Sequence, residues 1–381
     1  MKHTSVSEAD EMKILLFEWK KLWKSKAFIL LLLVSMILIA GLFIRNYIYQ
    51  DIVKSQKIEM YQDHASNVLS QLMGDQEDRR EIGEGVDPIL EEKVEVGSSL
   101  YGKHEELITA INEDEEITAL QLENETYDLA IKYHSLEKNY PLSKIDMEDE
   151  IRLNEELLMK QLPKENLNAS IQPAVFMKQV IQLLLNTFGF LILIVIIGTP
   201  MIKEFDDNTI RLTYGLPISS RRMVLSKWGG LVLSGMTWFG IVLLFTYFIV
   251  ATFGKELPNP FEYPFYTEQM NFILGEDYIQ QSIIFGMLYL LTLTALFVWL
   301  MFLMKNTLVV HLVILFLFLI NFLVIKSGFV YPFLPWSYQE LDVVTLQQKQ
   351  ASWIGVFLNI GITTLLLLLA ITSSKRREYV K

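Results

Sequence analysis

Few side chains in this 381-residue chain could do chemistry, and those that could do not form a catalytic set. There is no cysteine, so a thiolate nucleophile, a thiolate metal site and a disulfide framework are all out of reach. None of the five histidines stands at metal-ligand spacing from another, and no His-Glu-x-x-His stretch exists. A phosphate-cradling Gly-x-x-x-x-Gly-Lys-Ser/Thr loop is missing too. Gly254-Lys255 is followed by Glu256 and has no glycine five residues before Gly254. The expectation is a chain with no catalytic residue, no metal and no cofactor of its own; any nucleotide chemistry must come from a partner.

Two polar constellations remain. The first lies in residues 202–227, between two apolar runs: Glu204, Asn208, Thr209, Pro217, Ser219, Arg221, Arg222 and Lys227. Asp207 or Asn208 offers an acceptor suited to a helix start. Gly215, with Pro217 just beyond, suits its end. Ser219 or Ser220 can cap a second helix, led by Arg221 and Arg222, that continues into the next apolar run. A short helix held between two spans can transmit a push. The second constellation is Lys178, Gln182 and Asn186, recurring every four residues and so predicted on one helix face. A polar stripe at membrane depth faces protein or water, which suits a substrate path or a seam between two halves of an assembly. The alternative is a snorkelling Lys178 with both amides bonded to neighbouring helices. His311, Asn321 and Asn359 are single residues that fit helix-packing bonds, and Ser226, Gly230 and Ser234 form a small-residue ridge.

The elements that must position these residues are membrane spans. About 20 apolar residues cross a hydrocarbon layer of ~30 Å, and the chain, 51% hydrophobic, offers six such runs without the polar stripe of a soluble helix. The predicted fold class is an all-α integral membrane protein with six transmembrane helices, an N-terminal interfacial helix and a mainly helical extracytoplasmic domain. The predicted division is a cytoplasmic N-terminus with an interfacial helix (1–26), spans at 27–49, 176–201, 228–253, 281–304, 305–325 and 351–373, an extracytoplasmic acidic domain (50–175), a cytoplasmic loop (202–227), outer loops (254–280 and 326–350) and a cytoplasmic tail (374–381). The first run has no small-residue cleavage pattern behind it and is read as a retained span rather than a secretory signal.

Charge orients the spans. Residues 50–175 carry 29 acidic and 12 basic side chains, although the whole chain is only 11 units negative. Basic residues near span ends mark the cytoplasmic side. Lys20, Lys21, Lys24 and Lys26, then Arg211, Arg221, Arg222 and Lys227, then Lys305, then Lys375, Arg376 and Arg377 all fall on one side if there are six spans. Both termini are therefore expected in the cytoplasm. Residues 12–26 alternate apolar and basic residues at helical spacing, with Leu15, Trp19 and Leu22 or Trp23 on one side, as in a helix lying among anionic headgroups. The acidic segment is poor in Gly and Pro over 103–140 and 146–162, which favours helices, with breaks expected around 83–88 and at Pro141. The two later outer loops are dense in aromatics, including Tyr263, Phe265, Phe329, Tyr331, Phe333, Trp336 and Tyr338 with Pro332 among them, which suit either an interfacial belt or substrate recognition.

The segment 202–227 resembles the permease subunits of type 2 (ABC-2) ATP-binding cassette transporters, in particular those with a large extracytoplasmic domain between the first two spans. The family pattern is a Glu, a Gly-Thr-aliphatic step, Pro-aliphatic-Ser-Arg, then a Lys at the mouth of the third span. This chain supplies Glu204, Asn208-Thr209-Ile210, Leu216-Pro217-Ile218-Ser219, Arg221 or Arg222, and Lys227. It departs in having Asn208 where the family has Gly, and Asn tolerates similar backbone angles. The interfacial helix, the six-span layout and the loop before the sixth span extend the resemblance to most of the chain outside 50–175.

The resemblance implies that this loop forms a coupling helix docking in a groove of a cytoplasmic ATPase, with Glu204, Asn208, Thr209, Pro217, Ser219, Arg221 and Lys227 as the coupling residues. It implies an exporter in which ATP and Mg²⁺ are bound by the ATPase subunits, partnered by a second permease copy or homologue and by membrane lipid, with no nucleic acid. The absence of cysteine fits a bacterial cell membrane. The acidic domain could concentrate cationic substrates or only stay soluble. A membrane-anchored sensor or scaffold is the competing reading, though a sensor has no need of a coupling loop. An intramembrane enzyme would need paired ionisable groups within spans, and none is evident.

Overall fold

The computed structural model describes residues 8–82, 87–210, 212, 218–267, 271–304, 306–331, 334–347 and 353–379. In chain order the helices are α1 (Glu8–Trp23), α2 (Lys26–Ile82), α3 (Pro88–Asn112), α4 (Glu116–Ser135), α5 (Lys144–Met159), α6 (Pro173–Leu184), α7 (Thr187–Asp206), α8 (Ser220–Phe253), α9 (Gly275–Leu303), α10 (Thr307–Lys326), α11 (Leu341–Leu346) and α12 (Trp353–Tyr379). A two-stranded ribbon, β1 (Pro264–Tyr266) with β2 (Phe272–Leu274), precedes α9, and a 3-10 turn (Pro335–Gln339) precedes α11. The chain divides into two compact units. One comprises Met1–Leu42, Phe176–Phe253 and Phe265–Lys381; the other comprises Phe43–Val175 and Gly254–Pro264.

Among the described residues six helices are long and apolar enough to cross a membrane: α2, whose part up to Leu42 belongs to the first unit, and α7, α8, α9, α10 and the Gly355–Arg376 part of α12. The centre of the first unit is α9, which packs against α7, α8, α10, α11 and α12 and buries Phe285, Tyr289, Leu293, Phe297 and Leu300. By contrast α10 buries only Val310, Ile314, Phe318 and Ile325. These positions form one stripe on a helix that is apolar apart from His311 and Asn321 between its ends, and Leu312, Leu315, Phe316, Leu319 and Leu323 on its other faces are exposed. Close approach is bought by small residues. A Cβ on Gly198 of α7 would sit 2.3 Å from Phe297 Cζ, so only glycine lets that buried ring lie against the helix backbone. Polar seams tie spans together as well: Thr292 Oγ1 of α9 meets Thr363 Oγ1 at 2.9 Å and Asn359 Oδ1 at 3.3 Å on α12.

Three boundaries differ from the sequence reading. The second span is not one helix from 176, because the chain breaks at Asn186 between α6 and α7. Asn186 is extended, and its Oδ1 accepts from Gly189 N at 3.0 Å as the N-cap of α7. A Cβ on Gly189 would meet the Leu184 carbonyl oxygen, so the glycine is what permits the break. The loop expected over 254–280 ends early, since the ribbon leads directly into α9 at Gly275. The loop expected over 326–350 contains the 3-10 turn and α11, with Ser337, Tyr338, Gln339, Leu341, Val344 and Thr345 buried. Some of its aromatics are accordingly core residues: Tyr338 stacks on Phe285, whereas Phe329, Tyr331 and Trp336 are exposed. Pro332 and Phe333 lie outside the described residues.

The second unit is a helical bundle. From Phe43 onward α2 runs on unbroken to Ile82, and α3, α4 and α5 complete it. Asp87 accepts from Ile89 N at 3.1 Å with Pro88 as first helical residue, and Ser143 accepts from Asp146 N at 3.2 Å, so both helix starts are capped. Val68, Val96, Leu100, Tyr127, Ala130, Tyr133, Tyr140 and Met147 make one core, and Tyr61, Leu107, Ile108, Ala110, Ile111 and Ala119 another. The stretch 103–140 is two helices, with Asp114 in the left-handed region (φ 60) at the turn between them.

Candidate functional site

The segment after α7 is set by local chemistry. Asp207, expected to begin a helix, instead closes α7: its N–H reaches the Lys203 carbonyl at 2.9 Å. Asn208 follows with φ 55, a conformation that costs other L-residues about 1–2 kcal/mol and that Gly and Asn visit most readily. Helical geometry resumes at Ile210 and Leu212, with Leu212 N bonded to Thr209 O at 2.9 Å. Asp206, Asp207, Asn208 and Thr209 are exposed, while Ile210 is buried. At the far end Ser219 caps α8, accepting from Arg222 N at 3.4 Å through its side chain and from Met223 N at 3.0 Å through its carbonyl. Arg221 is exposed. Arg211, Gly215, Leu216, Pro217 and Lys305 lie outside the described residues.

Glu204 and Lys227, 23 positions apart, come together. Lys227 is only 5% exposed, and its Nζ lies 2.5 Å from Glu204 Oε2 and 2.5 Å from Glu18 Oε1. Lys21 pairs with the other oxygen of Glu204. The four alternating charges knot α1, α7 and α8 at one point. Gly230, one turn beyond Lys227, lets α1 lie there, since a Cβ on it would be 2.7 Å from Glu18 Cβ. Trp19 Nε1 adds a 3.3 Å bond to Thr237 Oγ1 on α8, so α1 presents its Leu15, Glu18 and Trp19 side to protein. Asp206 reaches a fourth helix, accepting from Thr307 Oγ1 at 2.6 Å at the start of α10. The 207–210 turn thus follows α7 directly, and the last turn of α7 is joined to α1, α8 and α10 by charged or hydrogen-bonded links. Glu18 and Thr307 carry no sequence signal for these contacts.

Of the second constellation, Lys178 and Gln182 share α6, while Asn186 belongs to the cap of α7. The predicted three-residue stripe thus ends after two. Both α6 residues converge on Asp342, at 3.6 Å from Lys178 Nζ and 2.8 Å from Gln182 Nε2, and Tyr278 Oη donates to the same carboxylate at 2.8 Å. Glu340 accepts from Thr187 N and Oγ1 at 3.2 and 2.5 Å, placing an anion at the start of α7. Gln339 donates to Thr187 Oγ1 at 2.8 Å and to the Phe318 carbonyl at 3.1 Å. The polar face of α6 is thereby satisfied within the chain by the 335–346 segment, which sequence reasoning had treated as a loop.

The second unit has buried charges of its own. Glu123 is 1% exposed and lies 2.5 Å from Lys164 and 3.8 Å from Lys57, with Tyr127 Oη donating at 3.1 Å. Burial alone would raise its carboxyl, but Lys164 and Lys57 overcome this and hold it at about 2. Lys164 is pushed up by Glu123 and Glu150 against the opposing effect of burial, and burial lowers Lys57. His64 and His104, 40 positions apart, meet around Tyr140, whose Oη is 3.4 Å from His64 Nδ1 and 3.2 Å from His104 Nε2. His104 Nδ1 donates to the Leu100 carbonyl at 2.9 Å, and burial lowers both imidazoles, so the cluster is neutral at pH 7.

A family model described as ABC-2 family transporter protein matches residues 12–376. Comparison with curated proteins and with solved structures found no match. With the family match running nearly end to end and six helices able to span a membrane, the chain belongs to the ABC-2 transporter family, as a multi-pass permease subunit of an ABC transporter that partners an ABC ATPase subunit.

Proposed function

We propose that this chain is the permease half of an exporter in the cell membrane, and that the exposed turn at Asp207–Thr209 is where ATPase motion enters it. The observation that carries the reading is the link from that turn through Glu204 to the buried Lys227 and Glu18. An ATPase biases a permease only by binding one of its conformations better than another, and a turn joined to four helices gives such binding a mechanical consequence. Asn208, Thr209, Ser219 and Arg221 supply the docking face, while Glu204 and Lys227 act beneath it; Pro217, expected to join them, lies outside the described residues. In this reading two copies, or this chain with a homologue, surround the path and ATP and Mg²⁺ stay on the ATPase, and the basic span ends support cytoplasmic termini with the acidic residues 50–175 on the outer side.

The test is to replace residues 206–211 with a Gly/Ser run and reconstitute the complex with its ATPase in liposomes. Membrane insertion is expected to persist while ATP-dependent export is lost. Export at the wild-type rate would overturn the proposal, as would failure of a cysteine at Thr209 to crosslink to the ATPase.

A further inference from the structure

A crevice of about 600 Å³ opens beside the charge network, lined by Lys21, Lys24, Lys26 and Lys203 together with Thr199, Pro200, Glu204, Asp207 and Thr209. Its charges are not balanced. Glu204 is taken by Lys21 and Lys227, whereas Lys24, Lys26 and Lys203 make no ion pair among the described residues. Among the described lining residues Asp207 is the one carboxylate left to face three ammonium groups. The crevice lies at the ends of two span-length helices, where α2 begins and α7 finishes. Immediately along α2 the apolar residues Ile29, Leu30, Leu33 and Ile37 are exposed. A cationic concavity continuous with an apolar flank matches an amphiphile with an anionic head; a free inorganic anion would use only the first half of that surface. Basic pockets between membrane helices hold phosphate headgroups in this way.

We infer that the crevice is a phosphate-binding site for an anionic phospholipid, with the headgroup phosphate between Lys24, Lys26 and Lys203 and an acyl chain along the Ile29–Leu33–Ile37 face of α2. A lipid bound there touches both Glu204's helix and the α1–α2 junction, so its occupancy bears on how freely the network can rearrange.

The test uses the full-length chain in detergent micelles and native mass spectrometry with added phosphatidylglycerol, phosphatidylcholine or inorganic phosphate. Wild type is expected to prefer phosphatidylglycerol over phosphatidylcholine. The variant Lys24→Gln/Lys26→Gln/Lys203→Gln is expected to lose at least about tenfold of that preference, since each lysine adds to attraction for an anionic headgroup. A control variant, Lys20→Gln/Lys375→Gln/Arg376→Gln, removes as much charge outside the crevice and should keep the preference. No headgroup preference, equal loss in both variants, or inorganic phosphate displacing the lipid at equal concentration would each overturn the inference, the last by identifying a free-anion site.

Discussion

Replacing Lys227 by Met tests whether the charge network holds the first unit together. Methionine keeps the aliphatic stem that packs on the way to the ammonium and removes only the charge. Lys227 is 5% exposed and holds two carboxylates at 2.5 Å each. Without it Glu204 retains Lys21, but Glu18 loses its cation while staying only 15% exposed. Leaving a buried charge uncompensated costs about 3–5 kcal/mol, whereas an exposed charge such as Lys20 is worth within about 0.5 kcal/mol. Thermal unfolding of the full chain in micelles, followed by tryptophan fluorescence, should show Lys227→Met well below wild type and Lys20→Met beside it. Adding Glu18→Gln to Lys227→Met should recover about 1–3 kcal/mol, because the orphaned charge is then gone. If Lys227→Met unfolds with Lys20→Met, or if Glu18→Gln adds a separate loss instead of a rescue, the network is a surface ornament and the mechanical argument built on it fails.

Two further outcomes follow from the geometry. Asn208 has φ 55, so Asn208→Gly should leave ATP hydrolysis by the reconstituted complex near wild type, while Asn208→Val, strained by about 1–2 kcal/mol, should lower its coupling to export; equal behaviour of the two would refute the left-handed requirement. In the second unit the Glu123 carboxyl lies at about 2 against an ordinary 4.5. The folded state thus binds fewer protons than the unfolded one, and the stability from this group is whole above about pH 5 and lost as pH falls toward 2, on the order of 3 kcal/mol. Circular dichroism of Glu123→Gln from pH 7 to 2 should show a less stable protein at neutral pH with a shallower acid loss, and an acid transition identical to wild type would show that Glu123 is not the group responsible.

The membrane class was legible in the sequence because it depends on composition over long windows. Six apolar runs of span length are visible without any contact being known, and so is the segment that joins the second and third. The caps were legible where a side chain serves its own neighbours: Ser219 before α8 is a local signal. Asn186 before Thr187 is an equally local one, and it was masked by the tempting four-residue spacing from Lys178 and Gln182. Asn208 could be read as a place for a left-handed residue only through the family's Gly.

What the sequence could not say is which partner each charge would take. Lys178 finds Asp342 across 164 positions, Lys227 finds Glu18 across 209, and His64 finds His104 across 40. No period or motif encodes such pairs, since they depend on which helices pack and at what rotation. The same holds for the exposed and buried sides of α10, both of which are mainly apolar. By itself the sequence determined that this chain spans the membrane, because hydrophobic length acts within one segment, but not where every span breaks, as Asn186 shows. Only the tertiary structure decided that Glu204 and Lys227 meet as a buried pair beside the 207–210 turn, because burial and charge neutralisation are properties of several helices meeting at once.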